Sequence, residues 1–260
     1  MSETLKQLWE NPANPELDVA VQAAEAANVC TAGTRELTPE ELECHLGRVE
    51  EFKAILKKQV EPRRYQHSLN VGDAARELAE LNGVDPGKAY LCGLLHDIEK
   101  NRPLDEQERY MRQLGDLIPD HVIANPKLWH APAGAAFIRD ELGILDADMI
   151  RAIKYHTTGR PHMSPLEKVL YVADYVSIER DYPGVETVRE AAYRNLDEAI
   201  LIGGRFTLIS LLERYRKVNY DTFAMYNEVA ELMGARFEEA AAKAEEEARA
   251  KVAKVENPER

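Results

Sequence analysis

"YLCGLLHDIEKN", residues 90–101, decides how this chain is read. Apolar and small residues from Tyr90 to Leu95 lead straight into His96 and Asp97, with Glu99 and Lys100 just beyond. Burying a polar pair is costly unless something pairs with it. The longer stretch "DPGKAYLCGLLHDIEK" begins on Asp85 and Pro86, a cap followed by proline at the first helical position. The run therefore reads as a helix that carries His96 and Asp97 into a core.

Working outward, almost every periodic segment reads the same way. "TPEELECHLGRVEEFKAILKKQV" opens with Thr38, Pro39 and Glu41, a capping-box start. "HSLNVGDAARELAELNG" spaces Leu69, Ala74, Leu78 and Leu81 near three and four, and Gly83 ends it. "SPLEKVLYVADYVS" has Ser164 as cap, Pro165 next and Glu167 completing the box. "APAGAAFIRDELGI", "DADMIRAIKYHTTG", "LDEAILIGGRFTLISLLERYRKV" and "TFAMYNEVAELMGARFEEAAA" add four more helices. Strand alternation is missing, so the predicted class is all-α. Residues 1–45 lack a strong apolar face and are expected to be a partly ordered appendage. Residues 46–236 form the main domain, and 237–260, rich in Ala, Glu and Lys, a charged helical tail.

Composition narrows the function. Of 260 residues 45% are apolar, ordinary for a globular domain, and no window nears the ~18 apolar residues of a membrane span. A formal charge of −13 argues against nucleic-acid binding, which needs basic surface. A local nest of cations can still hold a small anion. Cys30, Cys44 and Cys92 are odd in number and lack CxxC spacing, and the start carries no secretory pattern. The expected compartment is a reducing cytoplasm.

The informative residues are polar ones on apolar faces. His67 follows "RRYQ" at a helix start, His130 stands just before a helix in "LWHAPAGAA", and His156 closes "MIRAIKYH". Asp174 sits inside "VLYVADYVS", where a carboxylate needs a cation, whether Arg, Lys or a metal. Any one of these could be an ordinary hydrogen-bonded core group. Six of them together, in the order H…HD…H…H…D, suit divalent iron, manganese or zinc. Neighbouring helical residues point about 100° apart, so His96 and Asp97 cannot both face one distant partner. Near a helix end they can share a metal, and the second carboxylate oxygen is free to reach another.

These motifs resemble the HD-domain metal-dependent phosphohydrolases. The fuller set, "RRYQHSLNV", "AYLCGLLHDIEK", "WHAPAGA", "IKYHTTGRPHMSPLEKVLYVADYVSIERDYPGV" and more weakly "TFAMYN", is similar to the YqeK-type subgroup, the bacterial symmetrical diadenosine tetraphosphate hydrolases. It spans roughly residues 50 to 230 in the family's order. The resemblance implies a helical HD domain with a dinuclear metal site, usually described as iron. His67, His96, Asp97 and Asp174 would hold the first metal. His130 and His156 would hold the second, with Asp97 bridging. It also implies the substrate, a dinucleoside polyphosphate, and the cut that yields two ADP. Two such metals could supply a bridging hydroxide for attack on phosphorus.

The substrate's charge calls for cations. Lys100 lies three residues beyond Asp97, so a continuing helix would put both on one side, with Asp97 and Lys100 as the catalytic pair. Arg64 stands three before His67 by the same argument, and Arg160 and Arg180 are further candidates. Thr157, Thr158 and Gly159 form a polar turn suited to close approach by phosphate or ribose. His162 could act as a general acid, although a loop position without a catalytic part fits it as well. His45 and His121 read as surface residues, and Trp129 and Tyr155 as core packing or adenine stacking. Two other readings stay open: an HD phosphohydrolase for another nucleotide or a cyclic dinucleotide, and a non-catalytic nucleotide sensor. The apolar C-terminal helices could also supply a homodimer face.

Overall fold

Caps written in the sequence set where the helices begin. The computed structural model describes residues 34–236 apart from 116, 117 and 119. Helix α1 (Pro39–Gly47) opens on the Thr38–Glu41 capping box, and α2 (Val49–Gln59) follows at once. Helix α3 (Pro62–Asn82) starts on proline and stops at Gly83, whose φ of 66° is left-handed and free of strain only without a Cβ. The Asp85 carboxylate accepts from the Gly87 and Lys88 amides to start α4 (Pro86–Leu95). Then come α5 (Leu104–Gln113), α6 (His130–Asp140) and α7 (Ala147–Tyr155), the last capped by Asp146. The Ser164–Glu167 box opens α8 (Pro165–Val176). Helices α9 (Val185–Arg194), α10 (Leu196–Glu213) and α11 (220–236) follow. Among the described residues there is no strand, only an isolated bridge between Arg35 and Asp146. The fold is all-α, and no described helix is long and apolar enough to cross a membrane.

Two helices end earlier than their sequence pattern suggests. Residues 38–60 are not one helix: Arg48 separates α1 from α2 at φ −96° and ψ 8°. Its guanidinium donates to the Leu142 carbonyl at 3.0 Å and pairs with Glu51, which holds the break against the body of the protein. Helix α4 stops at Leu95. Turns over 96–101 replace its continuation, closed by the Lys100 amide donating to the Asp97 carbonyl at 2.9 Å.

Position 45, drawn as a domain boundary, falls inside α1. Leu37 and Leu42 are buried, and the Arg35 amide donates to the Leu145 carbonyl at 2.9 Å. The Asp146 carboxylate accepts from the Leu37 amide at 3.1 Å and from Lys88 Nζ at 2.8 Å, tying this segment to α4 and α7. His45 is also buried rather than on the surface, its ring 6.4 Å from that of Phe52. Residues 1–33 of the expected appendage and the tail at 237–260 lie outside the described residues.

The core runs between α3, α4, α6, α7 and α8, where Leu78, Leu91, Leu94, Ile138 and Tyr171 are fully enclosed. Each such aliphatic side chain contributes about 1.5–3 kcal/mol of burial. Helices α3 and α4 approach until their backbones touch. A Cβ on Gly93 would lie 2.7 Å from both the Gly72 Cα and the Val71 carbonyl oxygen. Only glycine permits that distance, and it sets the spacing of the two helices that carry His67 and the His96–Asp97 pair.

Candidate metal centre

Five helix ends converge on one point. His67 lies in the second turn of α3, and His96 and Asp97 directly follow α4. His130 is the first residue of α6, His156 directly follows α7, and Asp174 sits in the last turn of α8. The four histidines and Asp97 are buried, and Asp174 is half-buried.

A helix C-terminus leaves carbonyls without intrahelical partners, and two of these histidines use them. His96 Nδ1 donates to the Gly93 carbonyl and His156 Nδ1 to the Ile153 carbonyl, each at 2.7 Å. Each bond selects the tautomer whose Nε2 lone pair is left for the centre. His67 Nδ1 instead bonds the Glu179 carboxylate, itself held by Ser177 Oγ at 2.9 Å and Asn70 Nδ2 at 2.6 Å. The rings pack edge to face in the order His67, His96, His156, His130, with centroids 4.9–5.2 Å apart.

Asp97 lies between these rings. Its Oδ2 is 3.4 Å from His96 Nε2 and 3.9 Å from His67 Nε2. Its Oδ1 is 3.4 Å from His130 Nε2 and 3.5 Å from His156 Nε2. Each oxygen thus serves a different histidine pair. Asp174 Oδ1 stands 3.1 Å from His67 Nε2 and 4.0 Å from His96 Nε2.

Electrostatics sets the protonation states. Burial pushes the His130 pKa well down, helped by the Lys100 ammonium, whose Nζ donates to His130 Nε2 at 2.9 Å. Burial lowers His156 as well. For Asp97 burial acts against the charge, but His96, His156 and Lys100 outweigh it and hold the carboxyl well below its usual range. Asp174 is held down in the same way by His67 and Arg180. Asp97 and Asp174 ionised and His130 and His156 neutral are the states a divalent cation requires of those four side chains.

His67 Nε2, His96 Nε2 and Asp97 Oδ1 are buried with no hydrogen-bond partner among the described residues. Each such orphan costs about 1–3 kcal/mol. The ligand atoms of His67, His96 and Asp174 lie within 4.8 Å of one another, as do those of His96, Asp97 and His156. Donors each about 2.0–2.2 Å from one ion fall in that range. The residues fit a divalent metal.

Residues 64–179 match the HD domain family. The chain is 41% identical over 179 residues to the symmetrical bis(5'-nucleosyl)-tetraphosphatase of Bacillus subtilis, covering 68% of this chain and 95% of that one. This chain belongs to the HD-domain family. The protein of the same name from Halalkalibacterium halodurans is 39% identical over 67% of this chain and 93% of its own. A crystal structure of a predicted HD superfamily hydrolase involved in NAD metabolism from Clostridium acetobutylicum superposes with a TM-score of 0.68. It is 33% identical, over 70% of this chain and 97% of that one. HD-domain hydrolases use divalent metals.

The HD-domain centre opens into a two-lobed cleft. One lobe, of about 730 Å³, is lined by Arg64, Asp97, Lys100, His156, Thr157, Asp174 and Arg180, then by side chains of α8, α10 and the loop before α9. The other, of about 510 Å³, shares Arg64 and Arg180 and adds Arg63, Asn101 and Glu179. Arg64 Nη1 donates to Asp97 Oδ2 at 2.7 Å, and Arg180 pairs with Asp174 while its Nε donates to the Asp174 carbonyl at 2.7 Å. Lys100 reaches 3.7 Å from Asp97 Oδ1 through the turn at 96–101, not through a continuing helix. Thr157 Oγ1 lies 3.1 Å from His130 Nε2 and 3.0 Å from His156 Nε2.

Three expected substrate contacts do not line either lobe. Arg160 is held by Glu167 at 2.7 and 2.8 Å, inside the α8 capping box. Thr158 is buried, and its carbonyl accepts from Thr222 Oγ1 of α11 at 2.8 Å. Gly159, at φ 63°, is packed against Met225. His162 is exposed and faces Glu228, whose carboxylate is 3.4 Å from its Nδ1. Trp129 donates to the Val122 carbonyl at 3.0 Å, and the Tyr155 ring lies under Lys154 and Arg160. His121 is half-exposed, 3.4 Å from Asp221. The sequence reading missed Glu179, the support of His67. Its one signal is an acid three residues after the apolar helix that carries Asp174.

Proposed function

We propose that this protein is a cytoplasmic metal-dependent hydrolase that cuts diadenosine tetraphosphate at the middle of its phosphate chain, giving two ADP. The observation that carries the reading is Asp97, whose two oxygens face two histidine pairs while its relatives bear the tetraphosphatase name. His67, His96, Asp97 and Asp174 would hold one divalent metal, and His130 and His156 a second, with Asp97 shared. Iron is the first candidate, and manganese and zinc suit the same donors. When bound, such metals supply Lewis acidity and a water of lowered pKa.

The chain's own residues do the rest. Glu179 and the Gly93 and Ile153 carbonyls keep the imidazoles oriented. Arg64 and Arg180 sit at the junction of the lobes, where guanidinium groups can grip phosphate oxygens in pairs. Lys100 places an ammonium beside Asp97 and His130, ready to stabilise negative charge that grows on a phosphoryl oxygen. Thr157 spans His130 and His156 and fixes their relative position. Metal analysis of the purified protein, with product identification on diadenosine tetraphosphate, tests the reading. About two transition metals per chain and ADP alone are expected. ATP plus AMP would rule out the symmetrical cut.

A further inference from the structure

The two lobes of the cleft differ in chemistry. In the larger lobe Tyr175, Tyr182, Pro183, Phe206 and Ile209 supply an apolar wall to the same space that Asp97, Lys100 and Thr157 line. This wall is built in place. Gly184, at φ 92°, lies against the Phe206 ring so closely that a Cβ there would be 2.6 Å from Cζ. Gly203 makes room for the Tyr175 ring in the same way, at 3.1 Å. The Tyr182 hydroxyl donates to the Tyr175 carbonyl at 3.2 Å, and its ring meets Phe206 edge-on at 6.5 Å. Two half-buried aromatic rings, locked in orientation, suit a purine face.

Among the described residues the smaller lobe offers no second wall. Besides His67, Tyr182 is the only ring that the described residues give it, and it shares this ring with the first lobe. Its remaining lining is Arg, Asn and acid. Arg63 is exposed and has no ion pair among the described residues, while Glu179 is already committed to His67. Glu61 and Asp181 stay exposed.

We propose that the cleft grips one nucleoside only, on the Tyr182–Phe206 wall, and that a nucleoside 5'-tetraphosphate lacking a second nucleoside is therefore also a substrate. The inference rests on the diadenosine tetraphosphate reading of this centre. Counted from the held nucleoside, the cut falls after the second phosphate. Water forms the new bond to one of the two central phosphorus atoms, and the bridging P–O bond breaks with its electron pair on the departing oxygen. A proton passes to solvent. The products are a nucleoside diphosphate and pyrophosphate, the latter lying along Arg64, Arg180 and Arg63.

The experiment compares the metal-loaded full chain on diadenosine tetraphosphate and adenosine 5'-tetraphosphate. A kcat/KM for the second within about tenfold of the first, with ADP and pyrophosphate as products, is expected. Phe206→Ala should raise KM for both by about ten- to a hundredfold, as loss of one base-stacking partner does, and Phe206→Tyr should restore it. Calorimetry should show the same loss for ADP and none for pyrophosphate. Cleavage of the dinucleotide with adenosine 5'-tetraphosphate untouched overturns the proposal and leaves the tetraphosphatase reading standing. Unchanged ADP affinity in a folded Phe206→Ala overturns the assigned wall. A protein that cleaves neither substrate overturns both.

Discussion

Replacing Gly93 by alanine tests whether the α3–α4 spacing holds the metal centre. The added Cβ would lie 2.7 Å from the Gly72 Cα and the Val71 oxygen, and 2.8 Å from the Gly72 nitrogen. Carbon atoms rest comfortably at about 3.5–4.0 Å, so the helices must part by roughly 1 Å. Overpacking of this kind costs about 1–3 kcal/mol, or roughly 3–10 °C in melting temperature for a domain of this size. The functional cost is larger. His67 rides on α3 and the His96–Asp97 pair on the end of α4, so the displacement enters the ligand geometry directly. A misplacement of about 1 Å can lower rate by about a hundredfold. Gly134 in α6 is the internal control, since its Cβ would meet nothing closer than 3.5 Å. Gly134→Ala should be neutral or slightly stabilising. Metal content, kcat/KM and melting are measured for both variants. A Gly93→Ala protein with parental metal content and kcat/KM would refute the reasoning.

Glu99 supplies a prediction on pH. Burial raises its pKa from 4.5 to about 7, against the pull of Arg102, and neither oxygen has a hydrogen-bond partner. The folded state then binds more protons than the unfolded chain across that window, so stability falls as pH rises, by about 3 kcal/mol in all. Glu99→Gln should therefore stabilise at pH 8 and change little at pH 5 in urea melts; equal effects at both would contradict it. Asp146 runs the other way. Burial opposes its charge, yet Lys88 and the Met149 and Leu37 amides hold its pKa down. Its contribution is present at neutral pH and lost as pH falls through the lowered value. Asp146→Asn should cost about 3 kcal/mol at pH 7, and the gap should close in strong acid. Asp97→Ala should remove metal and activity together while far-UV circular dichroism stays helical; full activity would sink the shared-ligand role. Returning metal to chelated protein at a hundredfold excess over Kd should add about 2.7 kcal/mol of stability. A flat response would mean that the cluster is not a metal site.

Much of this was legible in the sequence, and the boundary is physical. Helix starts could be read because caps are local: Thr38 with Glu41, Asp85 with Pro86, and Ser164 with Glu167 each occupy a few adjacent residues. The candidate metal ligands stand out because His96, Asp97 and Asp174 interrupt apolar faces that would otherwise be continuous. Residues whose role depends on distant partners could not be read this way. Arg160 reads locally as a phosphate ligand, yet Glu167 holds it, and Thr158 reads as a ribose contact, yet its carbonyl accepts from Thr222. The early end of α4 has no local signal, because nothing between Leu95 and Lys100 breaks helical propensity; tertiary context overrides it. Tyr182 and Phe206 carry no signal at all, since an aromatic on a helix or loop reads as packing.

The contact between Thr222 and Thr158 has a consequence for the order in which the enzyme is made. The two residues are 64 apart in the chain, and the matched HD domain ends at 179. A ribosome that has released residues 64–179 has delivered all six candidate metal ligands but not the helix that pins the turn bearing Thr157. Domains fold as synthesis proceeds from the N-terminus. The nascent chain can therefore gather its ligands early and is completed only when α11 closes on Gly159 and Thr158. A chain cut short at about residue 219 would keep all six candidate ligands and lack the contact that Thr222 makes beside the His130–His156 pair.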